Sequence, residues 1–410
     1  MEDCKTPVRT KGLHSRRKGL LHHPFRSGGI RLKPILLAYS GPGQGHRMAA
    51  MALREAFLAE RAPVVCLDTL TTAMPFFRFL YAGLYKIMAR HAHLACEQVY
   101  RLTDRSRRKS SMIRAIDWWS HQNTMAFQAL AKSLAPGAAV CTHFLPMAIL
   151  SLMRERGEFN GQIHVVITDY DLHGFWVDPG VDHYCVATVN VRDRLAAKGV
   201  PDSKIAITGI PVRESFSRLA ATPRFRAPHL PLKVLFLAHS IAFETSREVI
   251  GRLEALGSRV RLTVVGHRRL RETCRSRDTD WLENVTDLSS LMAASDLLVT
   301  KPGGLVCSEA LSAGLPMLFT SPIPLQETLN AEYLQGQGAG TLCESPEALS
   351  VEVQTILDDP GILKRMENAC LRMSSPDAAR QIACRVLGRR PVFQVWDRDP
   401  AFCLLGGTQP

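Results

Sequence analysis

The sequence predicts an α/β protein with two doubly wound parallel sheets that face each other across a cleft. Its 410 residues are long for one domain and sufficient for two, each with its own core. From Leu36 onward, segments that are apolar throughout alternate with helical segments, which is typical of parallel strands covered on both faces. A proline-spaced segment at 218–232 interrupts the alternation, which then restarts, and this indicates a linker between two domains.

Ten apolar segments are predicted as strands, six before the linker and four after it. In chain order they are "PILLAYS", "APVVCLDTL", "AAVCT", "IHVVITD", "HYCVAT", "KIAITGI", "KVLFLAHS", "VRLTVVG", "DLLVTKPGG" and "PMLFTSP". In the second half, helices are predicted to begin near Phe243, Leu288 and Leu305. Ligands of such sheets bind at the carboxyl ends of the strands, so the cleft between the domains is the expected site.

The net charge of +13 is concentrated near the N-terminus. Residues 1–33 carry nine lysines and arginines against two acidic residues, and residues 71–120 carry nine against three. This distribution indicates one basic face rather than a generally basic protein. The chain is accordingly divided into a basic N-terminal arm, expected to be disordered, two Rossmann-like domains and a tail, over residues 1–33, 34–222, 223–390 and 391–410.

The segment at 75–94 interleaves aromatic and aliphatic residues with basic ones. This pattern is typical of an interfacial element on an anionic membrane, and an amphipathic helix packed on its own sheet is the alternative. The expected partner is therefore an anionic membrane surface, contacted through residues 1–33 and 75–119. Nucleic acid would be attracted by the same charges, but no motif that reads it accompanies them, so it is not an expected partner.

Cysteine usage and hydropathy bear on the location of the protein. The eleven cysteines lack a CxxC pair and any Cys/His spacing suited to zinc, which predicts a reduced protein without a metal site. No signal peptide is expected in the first 33 residues, and the longest uncharged run, 133–153, is interrupted by prolines and a glycine. The expected location is cytoplasmic, peripheral on the inner face of the plasma membrane.

The most specific stretch of the chain is "LLVTKPGGLVCSEALSAGLPMLF", residues 297–319. A predicted strand ends at Lys301, and Gly303 and Gly304 lead directly into a helix. Because these glycines have no side chains, an anion can approach the free N–H groups of the first helical turn. Glu309, one turn further on, would repel a phosphate and suits ribose hydroxyls instead. An ordinary glycine turn followed by a solvated glutamate is the alternative.

A second polar element follows the next strand in "SPIPLQETLNAEYL". Gln326, Glu327 and Asn330 open a predicted helix that faces the same cleft. Neighbouring amide and carboxylate groups suit the recognition of a neutral polyhydroxyl compound, whereas helix capping by surface polar residues is the alternative.

Together these motifs resemble the nucleotide-sugar site of the GT-B glycosyltransferases of family 28. In the first half, "SGPGQGHRMAA", "VITDYDLHGFWVDPGVDHYCVAT" and "ITGIPVRESF" resemble the diacylglycerol glycosyltransferases, and the similarity runs from about residue 34 to 388. The resemblance implies an inverting transfer of a hexose from a UDP-sugar to the free hydroxyl of diacylglycerol, without a cofactor. The undecaprenyl-linked precursor N-acetylglucosaminyltransferase, UDP-sugar 2-epimerases and a binding-only relative are the alternatives.

The resemblance also implies roles for the residues of the second domain. Gly303 and Gly304 would hold the diphosphate of the donor, and Glu309 its ribose. Gln326 and Glu327 would contact sugar hydroxyls, and Lys301 would help to neutralise the leaving diphosphate. The sequence departs from the family in "LAHSIAFE", residues 237–244, which lacks the family's glycine-rich turn near the phosphates. His239 and Ser240 are candidates to donate hydrogen bonds to the phosphates in its place.

The first domain would then serve the acceptor and the membrane. Its glycine-rich turn at 41–45 lacks the lysine of a P-loop, and His46 opens the following helix. A helix N-terminus disfavours imidazolium, so a neutral His46 can take the proton of the acceptor hydroxyl, and capping of the turn is the alternative. Asp169 and His173, after a predicted strand, are rival bases or orienters of the acceptor.

Overall fold

The computed structural model describes residues 33–41, 44–81, 83, 111–220, 231–273, 279–323 and 326–390. The described residues exclude the predicted N-terminal arm except Lys33, and they exclude the predicted tail. They also exclude residues 84–110 of the basic segment at 71–120. The predicted boundary between 222 and 223 also lies outside them.

The first sheet has six parallel strands in the order β2-β1-β3-β4-β5-β6. The strands are β1 (Ile35–Tyr39), β2 (Val64–Asp68), β3 (Ala138–Cys141), β4 (Gln162–Val166), β5 (His183–Val186) and β6 (Ile205–Ile207). The described helices that accompany this sheet are α1 (Gln44–Ala59), α2 (Ser111–Gln122), α3 (Met125–Leu134), α4 (Phe144–Glu155), α5 (Val189–Ala197) and α6 (Glu214–Ala220). Strand β1 is paired on both sides, with Ile35 aligned to Val64 of β2 and to Ala138 of β3.

The second sheet repeats this architecture with the order β12-β11-β10-β7-β8-β9, again all parallel. The strands are β7 (Leu232–Leu237), β8 (Val260–Val265), β9 (Asp280–Leu282), β10 (Leu297–Thr300), β11 (Met317–Phe319) and β12 (Gly340–Leu342). The described helices are α7 (Phe243–Glu254), α8 (Arg268–Thr273), α9 (Leu288–Ala294), α10 (Gly304–Ser312), α11 (Gln326–Gly336), α12 (Pro346–Asp358), α13 (Pro360–Met373) and α14 (Ala378–Val386). The predicted fold class and the ten predicted strands are confirmed.

Helix α10 lies between the second sheet and the first domain. All of its residues except Val306 are buried. Its apolar side chains share one cluster with Leu298 and Phe319 of the second sheet and with Tyr170 and Phe216 of the first domain. This burial on both sides joins the two domains through a continuous apolar core, which stabilises their contact.

The last helix returns to the first domain. Ile382 and Ala383 of α14 pack in one cluster with Leu53 and Phe57 of α1. Beyond the helix, the Arg389 side chain donates to the carbonyl and carboxylate oxygens of Glu60. Residues 378–389, which lie within the predicted second domain by sequence, therefore pack on the first one.

Residues 75–81 form a helix with two different faces. Phe77 is buried, and its ring lies 4.8 Å from that of Trp119 in α2. Phe76 and Phe79 are 70% and 77% exposed. One face of this helix thus packs on the domain and the other exposes aromatic side chains, whereas contact of the segment with a membrane stays a prediction. No described helix combines the length and the apolar character that a membrane span requires.

Candidate active site between the two domains

His46 lies in the first turn of α1, beside the carboxyl end of β3. Its Nδ1 is 2.6 Å from the carbonyl oxygen of Thr142 and 3.1 Å from the hydroxyl of Thr168. Because a carbonyl oxygen only accepts, Nδ1 must carry the ring proton and donate it to Thr142. The lone pair of Nε2 is then left to accept a proton. The hydroxyl of Thr142 donates back to the carbonyl oxygen of His46 and fixes this arrangement.

The surroundings of His46 keep the imidazole neutral. Burial lowers the pKa of His46, although the carboxylate of Asp169 acts in the opposite direction. The ring of His143 stands edge-on at 4.7 Å, and its Nδ1 accepts the N–H of Leu145 at the start of α4. Burial, together with the neighbouring His46, holds the pKa of His143 well below its usual range. Two neutral imidazoles therefore line this end of the first sheet.

Asp169 contacts the second domain directly. Its carboxylate accepts hydrogen bonds from Gln326 Nε2 at 3.0 Å and from Asn330 Nδ2 at 3.1 Å. Burial raises the pKa of Asp169, and these hydrogen bonds oppose that rise. The predicted acceptor residue Asp169 and the predicted sugar-binding residue Gln326 thus meet in one interdomain contact.

Asn330 extends this contact in two directions. Its Oδ1 accepts the backbone N–H of Tyr170 at 2.8 Å, and its Nδ2 also lies 3.2 Å from the carbonyl oxygen of Pro302. The hydroxyl of Tyr170 forms a further interdomain hydrogen bond of 2.6 Å with Ser308 of α10. The sequence grouped Asn330 with the sugar-binding residues, whereas the structure places it fully buried between the domains.

The predicted phosphate turn faces the first domain at close range. Gly303 precedes α10, and Gly304 is its first residue. A Cβ atom on Gly304 would overlap the carbonyl oxygen of Thr168, so only glycine permits this approach. Since Thr168 also contacts His46, a single residue separates the predicted base from the predicted phosphate turn.

Lys301 and Glu327 form a partly buried ion pair at 3.3 Å beside this turn. The carboxylate of Glu327 also accepts the N–H of Ile323 at 2.6 Å. Burial raises the pKa of Glu327, while Lys301 and this N–H oppose the rise. The positive charge of Lys301 beside the predicted phosphate turn is thus held in place by a carboxylate.

Glu309 is buried inside α10, only 5% exposed. Burial raises the pKa of Glu309 to about 7, and the charge of Arg213 acts against this rise. The Nε of Arg213 is itself buried and has no hydrogen-bond partner among the described residues. Sequence reasoning gave Arg213 no role, although it lies in the quoted motif "ITGIPVRESF". Its guanidinium is a further candidate to bind an anionic donor.

The structure places His173 and Ser240 at the ends of other elements. His173 precedes a short 3₁₀ turn (Gly174–Trp176), and its Nδ1 accepts the N–H of Phe175 at 3.1 Å. Ser240 is exposed after β7, which neighbours β10 in the sheet. His239 lies beside it, with Nε2 2.9 Å from the carbonyl oxygen of Glu283.

A cavity of about 290 Å³ opens between the two domains. It is bounded by Tyr170 and Thr188 on one side and by Ser308 and Tyr333 on the other. The residues predicted to bind the donor do not line this cavity. Gln326 contacts Asp169, Lys301 contacts Glu327, and Gly304 lies against Thr168.

The fold defines the class of protein. The structure is similar to that of MurG from Acinetobacter baumannii, with a TM-score of 0.58 and 16% identity over 87% of this chain and 99% of MurG. It is also similar to the UDP-GlcNAc 2-epimerase of Neisseria meningitidis bound to UDP-GlcNAc, with a TM-score of 0.57 and 13% identity over 87% and 100% of the two chains. At such identities these likenesses establish the fold alone, which is that of the GT-B glycosyltransferases.

Comparison of sequences shows which proteins the chain is similar to. Residues 46–212 match the family monogalactosyldiacylglycerol (MGDG) synthase, and residues 242–372 match glycosyl transferases group 1. The processive diacylglycerol beta-glucosyltransferase of Staphylococcus saprophyticus is 30% identical over 238 residues, 55% of this chain and 60% of that relative. The enzyme of the same name from Bacillus cereus is 24% identical over 376 residues, 87% and 94% of the two chains.

The match thus spans about 60% of the length of the staphylococcal relative. The resemblance read from the motifs is confirmed: the chain has the GT-B fold, and its sequence is similar to those of the diacylglycerol glycosyltransferases.

Proposed function

We propose that the protein transfers a hexose from a UDP-hexose to the free hydroxyl of diacylglycerol and forms a β-glycosyldiacylglycerol. The names of the sequence relatives support this substrate pair. The observation that carries the proposal is the position of Thr168, which contacts His46 on one side and the glycine turn before α10 on the other. An acceptor base and a phosphate site on opposite sides of one residue suit a group transfer between them.

The proposed reaction is a single displacement. His46 Nε2 takes the proton of the acceptor hydroxyl while its oxygen attacks the anomeric carbon from the face opposite the diphosphate. The new bond forms as the bond to the diphosphate breaks, so an α-linked donor yields a β-linked product. The N-terminus of α10, with Lys301 and Arg213, stabilises the negative charge of the departing UDP. General-base help of this kind is worth ~10²–10⁴ in rate.

The lipid acceptor requires access to a bilayer. The exposed apolar face at Phe76 and Phe79, with Met74 and Trp118 (55% and 56% exposed), supports insertion into the membrane interface. This face belongs to the first domain, the same domain that carries His46. We therefore place the acceptor side of the cleft toward the membrane.

A lipid-extraction assay tests the proposal. Labelled UDP-glucose and UDP-galactose are each incubated with the protein on vesicles that contain or lack diacylglycerol. Label in the lipid fraction and UDP release that both depend on diacylglycerol are expected, and NMR of the product should show a β-linkage. The preferred donor identifies the hexose.

Three outcomes would contradict the proposal. Conversion of the donor without lipid would indicate an epimerase. Turnover only with UDP-N-acetylglucosamine and a polyprenyl-linked acceptor would indicate a precursor transferase. UDP binding without turnover under any of these conditions would indicate a binding protein that has lost activity.

A further inference from the structure

Two side-chain amides of α11 join the domains, and they differ in how firmly they are held. Gln326 is exposed and, within the described part of the chain, makes one hydrogen bond, to Asp169. Asn330, one turn further along the helix, is fully buried and binds three groups: Asp169, the Tyr170 N–H and the Pro302 carbonyl. The contact therefore has one exchangeable part and one fixed part.

The exchangeable part coincides with the expected sugar site. A hexose hydroxyl can accept from Gln326 and donate to Asp169, so it can take the place of their direct hydrogen bond at little cost. Asn330 cannot be replaced in this way. Removal of its side chain leaves the Tyr170 N–H, the Pro302 carbonyl and one oxygen of Asp169 without their partner.

The hydrogen bonds of Asn330 fix the position of the acceptor side of the cleft relative to the predicted phosphate turn. Asp169 and Tyr170 follow Thr168, which contacts His46, and Pro302 precedes the glycine turn. The Asn330 side chain thus links the segment that follows β4 to the start of the predicted phosphate turn. A shift of these two segments by about 1 Å would misalign acceptor and donor, an error that costs up to ~10² in rate.

We propose that Asn330 is a positioning residue for the transfer: it fixes Asp169 and Tyr170 of the first domain against Pro302 of the second, while Gln326 exchanges Asp169 for a hydroxyl of the donor hexose. This inference rests on the proposed function for its kinetic part only. Its structural part concerns the contact between the domains and holds for any ligand of the cleft.

The test compares Asn330→Ala with the wild-type protein in three measurements. The kcat of transfer should fall by about 30-fold or more, because alignment is lost. The affinity for UDP, measured by calorimetry, should change by less than about fivefold, because the nucleotide is held by other residues. The backbone amide of Tyr170 should exchange its hydrogen at least about tenfold faster, because its acceptor is gone.

A second test exchanges the amide of Asn330 and the carboxylate of Asp169 in two steps. Asn330→Asp keeps an acceptor for the Tyr170 N–H but sets a second carboxylate against Asp169, so the domains should separate and scatter X-rays as a larger particle. Adding Asp169→Asn restores a donor to this pair and should return the scattering toward the wild-type value. It does not restore the bond to Pro302, so kcat should stay low.

Gln128→Ala is the matched control. Gln128 is also a buried amide with side-chain hydrogen bonds, but it lies in α3 of the first domain. Its removal should lower the melting temperature without changing kcat or the exchange of Tyr170. The inference is overturned if Asn330→Ala keeps kcat within about threefold, leaves Tyr170 exchange unchanged, or loses UDP affinity as steeply as kcat. UDP affinity and amide exchange can be measured without a lipid acceptor. A failure of the proposed function can therefore be told apart from a failure of the inference about Asn330.

Discussion

At the scale of single residues, the structure separates the roles of His46 and Asp169. His46 holds its Nδ1 proton against Thr142 and leaves Nε2 available, and burial lowers its pKa, so it is neutral near pH 7. Asp169 already accepts two amide hydrogen bonds from the second domain. We therefore propose His46 as the base and Asp169 as a residue that orients the groups around it.

Replacing His46 with alanine should lower kcat by ~10²–10⁴, because the acceptor proton then has no base. UDP affinity should stay the same, since His46 is not among the residues that we propose to bind the nucleotide. In the wild-type protein, kcat should decline only below the ordinary imidazole pKa of 6.5, because burial lowers the pKa of His46. Transfer rates across pH and UDP calorimetry measure both effects.

The control for this variant is His183→Gln, at the opposite, amino end of the first sheet. It should leave kcat unchanged. Full activity of His46→Ala would shift the base role to Asp169.

Glu309 predicts a pH dependence of folding stability. Its pKa is raised from 4.5 to about 7 in the folded protein, so the folded state holds this proton more tightly than the unfolded chain does. Stability must then fall as the pH rises from 4.5 through 7, and the loss is complete above 7. Glu309→Gln removes this loss and should be about 1–3 kcal/mol more stable than the wild type at pH 8, with the difference vanishing near pH 5.

Denaturant unfolding at several pH values measures this difference. Glu344→Gln, at an exposed site, is the control and should track the wild type. Parallel pH profiles of wild type and Glu309→Gln would contradict the assignment.

At the scale of elements, α10 depends on glycine for its position rather than for its helicity. Gly304→Ala places a methyl group against the carbonyl oxygen of Thr168, so the domains must separate, and kcat should fall by about 10²-fold. Gly251→Ala in α7 is the matched control, because nothing lies within 4 Å of the added atom. It should raise stability by up to about 1 kcal/mol and leave kcat unchanged. Kinetics and thermal unfolding of both variants decide this point, and equal kcat values would refute the close approach.

The elements that sequence reasoning predicted correctly are those with continuous apolar runs. Nine of the ten predicted strands carry at least three apolar residues in succession, and the predicted helix starts at Phe243 and Leu288 match the observed ones. Strands β9 and β12 were not predicted, because neither has three apolar residues in succession, whereas the equally short edge strand β6 does.

At the scale of the whole molecule, the exposed face around Phe76 predicts membrane binding. Phe76→Ser combined with Phe79→Ser should weaken binding to anionic vesicles by about tenfold or more, because two exposed aromatic rings no longer enter the interface. Val351→Ser removes a side chain that is 60% exposed in the second domain and should have no effect. Vesicle co-sedimentation measures the bound fraction. Unchanged binding of the double variant would show that this face does not meet the membrane.

The whole molecule is also joined in ways that chain order conceals. Helix α14 packs on α1, although some 320 residues separate them, and α10 is buried between the domains. Such contacts bring together segments whose side chains show no shared pattern in the sequence. The packing of the last helix on the first domain is one such contact, and the division of the chain into domains stays a prediction.

The sequence by itself determined the two parallel sheets, the glycine turns and the side chains assembled near them. These features depend on local apolar runs and on backbone space, which neighbouring residues specify. Only the tertiary structure decided that Asp169 meets Gln326 and Asn330, that Lys301 is held by Glu327, and that Thr168 separates His46 from Gly304. The physical reason is that these contacts depend on how the two domains pack against each other. The apolar pattern within either domain does not specify which side chains of the two domains meet.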